Sequence, residues 1–335
     1  MSDTTPFGVR LAGTGSAVPS KILTNQDLEG MVDTTSEWIV KRTGIKERRI
    51  LDRDKGESAL ELERRAILNA LDAAGLEPSD LDLLIVGSLT SEMRCPSNAC
   101  RLLAEIGAQP AGAFDLNAAC CGFLYSLNVG ESLIRSGRHR VVGVIGCDAL
   151  SPFIDYEERT VSILFGDAAG AVVLVRDEEQ PHLGCIYQKI EADGRGWESL
   201  YMPGKEEHVP ENAPATDVRV GNLRMNGREV YKFAVTKFQY VIQDALEQSG
   251  LTVDDVAQFV CHQSNIRIIE SAKEKLGLPD DKVYINIDKY GNSSAGSVGL
   301  CLDQLVRAGR IKSGDNVVFV AFGAGMTWSS SVWRV

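Results

Sequence analysis

Phe114-Asp-Leu-Asn-Ala-Ala-Cys-Cys-Gly-Phe-Leu-Tyr125 is the stretch from which the fold of this 335-residue chain is read. Ala113–Leu116 forms a short apolar strand that runs straight into a helix over Cys120–Ser136. Small or flexible residues, Ala118, Ala119, Cys120 and Gly122, fill the sharp turn between them. The turn sets Cys120 in the first residues of the helix, beside backbone N–H groups that lack intrahelical partners and at the positive end of the dipole. Such a position lowers a thiol's pKa and raises its thiolate fraction. The same N–H groups can hold a thioester's developing oxyanion. Cys120 and Cys121 also read as small core residues, so the chemical reading needs a base or electrophile elsewhere in the chain.

Outward from this elbow, strand-like and helix-like segments alternate. Before it come a strand at Val9–Val18, short helices at Asn25–Val32 and Ser36–Arg42, and an amphipathic helix at Ser58–Ala74. Ser58 and Glu61 form a capping-box pattern there, and Gly75 closes the helix. A buried strand at Leu83–Gly87 and a helix at Pro96–Ile106 follow. Beyond the elbow, Val141–Gly146 and Ala169–Val175 are nearly continuous apolar runs, as in strands covered on both faces. The second half adds helices at Glu229–Gln248, Asn265–Leu276 and Asn292–Arg307, a strand end at Gln258–Cys261, and strands at Asn316–Phe322 and Thr327–Val335. A polar, proline-bearing insert at Gly204–Asp217 reads as a surface loop. The alternation predicts an α/β fold with largely parallel central sheets.

Composition narrows the function. Apolar residues make up 44% and charged residues 24%, enough for a full core. A net charge of −11, from 35 Lys+Arg against 46 Asp+Glu, argues against nucleic-acid binding, which needs phosphates neutralised. The opening MSDTTPFGVR lacks a secretory pattern, and no apolar run nears the ~18 residues of a membrane span. A soluble, cytoplasmic protein is expected. Its eight cysteines then read as reduced thiols. Without a Cys-x-x-Cys, and with four scattered histidines, no metal site is expected.

Two further motifs supply candidate partners for Cys120. His262 follows the apolar Phe259-Val-Cys, at a strand end where α/β sites collect. Asn292 lies in Tyr290-Gly-Asn-Ser-Ser-Ala-Gly-Ser, a turn entering a helix, where asparagine is also an ordinary N-cap. Near the C-terminus, Phe322-Gly-Ala-Gly-Met-Thr-Trp is a tight turn whose backbone can approach a ligand closely.

Together these motifs resemble the β-ketoacyl-[acyl-carrier-protein] synthase III family of the thiolase superfamily. The resemblance runs from Gly13-Thr-Gly-Ser-Ala-Val-Pro through Thr35-Ser-Glu-Trp-Ile-Val-Lys-Arg-Thr-Gly-Ile, the Cys120 elbow and Phe165-Gly-Asp-Ala-Ala-Gly-Ala. It continues through His262-Gln-Ser-Asn-Ile-Arg and Gly291-Asn-Ser-Ser-Ala to Gly323-Ala-Gly-Met-Thr-Trp. It implies a thiolase-like five-layered αβαβα fold with two similar halves, 1–178 and 179–335, working as a homodimer. It also implies a triad of Cys120, His262 and Asn292, with Cys121 at a position usually held by a small residue.

The activity implied is condensation of an acyl-CoA primer with malonyl-acyl carrier protein through a Cys120 thioester, starting fatty-acid or polyketide chains. Backbone N–H groups of Cys120 and Ala324 would hold the oxyanion, and His262 and Asn292 the enolate left by CO2 loss. No cofactor is needed. Thiolases proper carry a second cysteine at the C-terminal turn, here Gly323-Ala-Gly, and hydroxymethylglutaryl-CoA synthases use a glutamate base with no matching motif here. The family pattern puts Trp38, Arg42 and Arg159 around the CoA adenine and phosphates, and Arg228 near the pantetheine tunnel. Lys232, Arg267 and Lys275 would dock an acidic carrier protein, although Glu274 replaces a usual basic residue. Cys95 stands where a bulky aromatic often reaches into the partner subunit's acyl pocket, which implies a roomier pocket and a branched or longer primer. An acyltransferase of secondary metabolism, using the same triad without decarboxylation, is the competing reading.

Overall fold

The computed structural model describes residues 7–108, 110–211, 213 and 220–335. Residues 1–6, read above for a leader pattern, and 212 and 214–217 of the insert lie outside the described residues. In the described part of that insert Glu206–His208 forms one 3-10 turn.

Two mixed sheets organise the chain. The first is built from β1 (Gly8–Ala17), β2 (Leu83–Gly87), β3 (Gly112–Leu116), β4 (Val141–Asp148) and β5 (Ala168–Asp177), in the order β1-β5-β4-β2-β3. The second is built from β6 (Gly184–Ala192), β7 (Val256–Cys261), β8 (Asn316–Gly323) and β9 (Thr327–Arg334), in the order β7-β8-β9-β6. In the first sheet β2 runs parallel to β3 and β4, but β5 is antiparallel to both β1 and β4. In the second only β7 and β8 are parallel. The expectation of largely parallel sheets is therefore corrected. Continuous apolar runs report burial on both faces and carry no information on strand direction.

Five helices complete the layers: α1 (Ala59–Ala74), α2 (Gly122–Arg135), α3 (Gly227–Ser249), α4 (Ile266–Leu276) and α5 (Gly296–Arg307). Helix α1 and the helix Asn98–Ile106 cover the outer face of the first sheet. Helices α2 and α5 lie between the sheets and pack on both, and α3 and α4 cover the far face of the second. The order is αβαβα, as expected. Leu62, Ala66, Ile67 and Ala70 form the buried face of α1. Ser58 Oγ caps α1 by accepting from Glu61 N–H at 3.2 Å, but the Glu61 carboxylate turns to Arg64 at 2.8 Å. Only half of the capping box forms.

The middle layer fixes the site. Phe123, Leu124 and Leu127 of α2 and Val298, Leu302 and Leu305 of α5 share one core with Val142, Val144, Val317 and Phe319 of the two sheets. Helix α5 meets the first sheet backbone to backbone. A Cβ at Gly170 would stand 2.3 Å from the Gly299 carbonyl carbon, and one at Gly146 2.3 Å from the Ala295 oxygen. A side chain at Gly170 would push on the body of α5, and one at Gly146 on the Ala295 segment that carries Asn292 and Ser294.

Candidate active site

Cys120 sits in a 3-10 turn, Ala119–Cys121, and α2 begins only at Gly122. The expected helical start at Cys120 is thus two residues early. Ala119 is in the left-handed region at φ 49°, which turns the chain sharply enough to aim Cys120 inward. Among the described residues the non-glycine positions with positive φ are Ala119, Ser294 and Met326. Ala119 and Ser294 flank the triad in sequence and Met326 lines its pocket, so backbone strain collects where function does.

The elbow does not depress the thiol's pKa as expected. Burial pushes Cys120 up to about 12, against the opposing hydrogen bond from Ser294, and the nearby Asp148 charge adds to the rise. Desolvation of a thiolate outweighs the local donors here. Cys121 turns into the core formed by α2 and the sheets, fully buried, and its thiol is also raised by burial.

His262 follows the last residue of β7, and its backbone N–H donates to Val320 O at 2.8 Å, which extends the β7–β8 pairing. The imidazole is 1% exposed and meets Phe322 edge-on, with centroids 5.4 Å apart. Burial lowers its pKa to about 3, so the ring is neutral. Nδ1 lies 2.7 Å from Ser297 Oγ, which leaves Nε2 as the other ring nitrogen.

Asn292 does not cap α5, and the helix expected to start there begins four residues later. Its N–H donates to Leu164 O at 2.9 Å and its carbonyl accepts from Gly166 N–H at 3.0 Å, which ties it to the first half of the chain. Asn292 Oδ1 accepts from Ser294 N–H at 2.9 Å. With the oxygen held, Nδ2 is the donor end offered to a ligand. At the terminal turn, a Cβ on Gly323 would stand 2.8 Å from the Cys120 nitrogen. Glycine there lets the Gly323-Ala-Gly backbone close over the nucleophile.

Cys120, His262, Asn292, Phe322 and Ala324 line one pocket. Its walls are largely apolar, with Leu164, Phe165, Leu200, Met225, Tyr231 and Phe233 among them. Such a lining suits an acyl chain, with few convergent polar groups at its end.

The remaining expected residues fall into three groups. Trp38 is flanked by the guanidinium groups of Arg159 at 4.9 Å and Arg42 at 5.3 Å, so these three come together. Arg228 is exposed in the first turn of α3, between Gly227 and Val230 of the pocket lining. Lys232 and Arg267 are exposed on the neighbouring helices α3 and α4, and Arg267 lies 5.6 Å from the ring of Tyr231, while Lys275 is exposed at the far end of α4. Cys95 is exposed and does not line this chain's own pocket.

Sequence reading passed over Asp148, Ser294 and Ser297. Ser294 Oγ lies 3.3 Å from Cys120 Sγ, and Ser297 holds the imidazole. Their signal was the serine-rich Gly291-Asn-Ser-Ser-Ala-Gly-Ser run; Asp148 had none beyond its place at a strand end. Among the described residues no helix is long and apolar enough to cross a membrane, and no group of three His, Cys, Asp or Glu could hold a metal ion.

Comparison with known proteins follows the same geometry. Residues 114–194 match the family model 3-oxoacyl-[acyl-carrier-protein] synthase III, and residues 246–335 match the model of its C-terminal part. The chain is 47% identical to the β-ketoacyl-[acyl-carrier-protein] synthase III of Caldanaerobacter subterraneus subsp. tengcongensis, over 96% of each chain. The crystal structure of the Aquifex aeolicus 3-oxoacyl-[acyl-carrier-protein] synthase III superposes with a TM-score of 0.89 at 40% identity, over 98% of this chain and 100% of that one. The priming β-ketosynthase of the R1128 polyketide pathway also gives 0.89, at 35% identity over 98% of this chain and 96% of that one.

Proposed function

The chain belongs to the β-ketoacyl-[acyl-carrier-protein] synthase III family and is an acyltransferase of the initiating condensation in fatty-acid synthesis, and we propose that it works through Cys120, His262 and Asn292. The observation that carries this reading is the convergence of those three residues, from different segments of the chain, on one largely apolar pocket.

In the first half-reaction Cys120 Sγ attacks the carbonyl of an acyl-CoA primer and expels the CoA thiol, leaving an acyl-enzyme. Backbone N–H groups of Cys120 and Ala324 hold the oxyanion. Malonyl-acyl carrier protein then enters, and loss of CO2 places an enolate charge on its thioester oxygen. His262 Nε2–H and Asn292 Nδ2–H donate to that oxygen, where fixed donors in a site shielded from water act most strongly. The enolate carbon attacks the acyl thioester and releases the β-ketoacyl product.

The donor role of His262 requires its proton on Nε2. This needs the Ser297 hydroxyl, which donates to Ser294 O at 2.9 Å, to turn its proton to Nδ1, 2.7 Å away. Trp38 with Arg42 and Arg159 suits an adenine nucleotide by stacking and charge. Arg228 lies toward the pantetheine neck, and Lys232, Arg267 and Lys275 present cations to an acidic carrier. In this reading the halves 1–178 and 179–335 supply nucleophile and enolate donors respectively. The enzyme is a homodimer, needs no cofactor, and uses Cys95 to shape the partner's acyl pocket.

Separating the two half-reactions tests the assignment. His262→Ala and Asn292→Ala are expected to form the acyl-enzyme from acyl-CoA at close to the wild-type rate. CO2 release from malonyl-acyl carrier protein should fall by roughly 100-fold or more in each. Equal loss of both steps would overturn the roles given to His262 and Asn292.

A further inference from the structure

Arg48 is fully buried, yet its guanidinium is hydrogen-bonded to uncharged acceptors. One terminal nitrogen, Nη1, donates to Leu23 O at 3.2 Å and to Asn25 Oδ1 at 3.0 Å. The other, Nη2, donates to Ile163 O at 2.6 Å. Among the described residues Nε has no partner. A cation buried against neutral groups is costly to keep, so what it connects bears on its role.

Its acceptors lie on the elements that carry Trp38, Arg42 and Arg159. Ile163 caps the short helix Arg159–Ser162, and the next residue, Leu164, lines the pocket and accepts the Asn292 N–H. Asn25 Nδ2 donates to Ile45 O at 2.8 Å and reaches Ser36 Oγ at 3.5 Å. Ser36 opens the helix Ser36–Thr43, which bears Trp38 and Arg42, and Ile45 follows the Gly44 cap at its end. One guanidinium thus ties together both helices of the group around Trp38.

The stem of the same side chain meets the turn that holds Asn292. A Cβ on Gly166 would stand 3.0 Å from Arg48 Cβ, and one on Gly291 3.1 Å from it. Around the guanidinium, Leu23, Leu28, Ile39, Ile45, Ile163 and Ile287 form a small core of their own, with Trp38 and Leu164 packed against it. Apolar contacts of this kind are non-directional. Arg48 adds directional links, because a planar fork of donors meets diverging acceptors that a point ammonium cannot.

We propose that Arg48 is a positioning residue for acylation: its guanidinium ties Trp38, Arg42 and Arg159 to the pocket wall at Leu164, so that a nucleotide held outside sets the thioester at Cys120. The proposal rests on those residues holding the nucleotide of acyl-CoA. Being fully buried, Arg48 meets no substrate and acts through the groups it holds. Binding of the remote nucleotide is thereby converted into orientation of the reacting carbonyl. Malonyl-acyl carrier protein brings no nucleotide, so its decarboxylation does not use the link.

Arg48→Lys tests this on the full-length protein. Lysine keeps the charge and the stem against Gly166 and Gly291, but it cannot span Leu23 O, Asn25 Oδ1 and Ile163 O together. The acyl group best accepted from a panel of acyl-CoAs is presented on CoA and on free pantetheine, and single-turnover acylation of Cys120 is followed by intact mass. Wild type should prefer the CoA thioester. Arg48→Lys should lose roughly tenfold of that preference through slower acylation from CoA. Its acylation from the pantetheine thioester and its CO2 release from malonyl-acyl carrier protein should stay close to wild type. An unchanged ratio between the two donors, whether both rates hold or both fall together, would overturn the proposal and leave Arg48 to the fold alone. If Arg48→Lys does not fold, Asn25→Ala, which cuts the link to the Trp38 helix, decides between the same outcomes. Trp38→Ala separates the two failures. Loss of the CoA preference there, with none in Arg48→Lys, defeats the role of Arg48 alone; no loss in Trp38→Ala defeats the nucleotide reading on which it rests.

Discussion

Replacing Gly146 by alanine tests how the fold positions the chemistry, because the substitution lies outside the pocket. The new Cβ would stand 2.3 Å from the Ala295 oxygen and 2.6 Å from Phe123 Cβ. An ordinary carbon–oxygen contact is about 3.3 Å, so the Ala295 segment must retreat by roughly 1 Å. Neither neighbour gives easily, since Ala295 and Phe123 are both fully buried. Overpacking of this kind costs about 1–3 kcal/mol. The displaced carbonyl directly follows Ser294, whose hydroxyl lies on Cys120, and belongs to the segment that holds Asn292. A shift of about 1 Å at reacting groups costs on the order of 100-fold in rate. Gly146→Ala should therefore melt a few degrees lower and acylate from acyl-CoA about 100-fold more slowly. Thermal denaturation and single-turnover mass spectrometry read the two effects. Gly194→Ala is the control: nothing lies within 4 Å of its added Cβ, so both quantities should stay at wild type. A Gly146→Ala enzyme with wild-type acylation would refute the claim that backbone contact between β4 and the α5 entry sets the site.

Three other expectations follow from the same geometry. Ser297→Ala removes the group that orients His262, so malonyl-dependent CO2 release should drop by roughly tenfold or more while acyl-enzyme formation holds; equal loss of both would place Ser297 in the fold alone. Glu63 is pushed from its ordinary 4.5 to about 8 by burial, so its protonated form is favoured in the folded state. The stability this contributes is complete below about pH 4.5 and is lost as pH rises through about 8, a loss of a few kcal/mol; Glu63→Gln should flatten the fall in melting temperature over that window, and an unchanged slope would contradict it. Trp38→Ala should raise KM for acyl-CoA by about tenfold with little change in kcat, since the ring lies beside two guanidinium groups suited to a nucleotide's phosphates; a kcat effect without a KM effect would remove Trp38 from the binding site.

Much of this was legible in sequence because the signals are local. The elbow combines small residues with a strand-to-helix transition, and the helix faces follow their hydrophobic period. What depends on long-range packing was not legible. The direction of β5 is one such feature, since burial on both faces looks the same in either orientation. Strand β6 was missed because its residues, Gly184–Ala192, are mixed and mostly half-exposed at the edge of the second sheet. The late start of α5 reflects the use of Asn292 and Ser294 in turn and site contacts. The high pKa of Cys120 was misread because sequence shows the helix end but not the depth of burial.

The most direct test of the central claim is intact-mass analysis of wild type and Cys120→Ala after incubation with a panel of acyl-CoAs, followed by malonyl-acyl carrier protein. The account predicts one acyl adduct on wild type, none on Cys120→Ala, and discharge of the adduct with CO2 release and formation of a β-ketoacyl-carrier product. An adduct retained by Cys120→Ala, or one on wild type that malonyl-acyl carrier protein leaves in place, would contradict it.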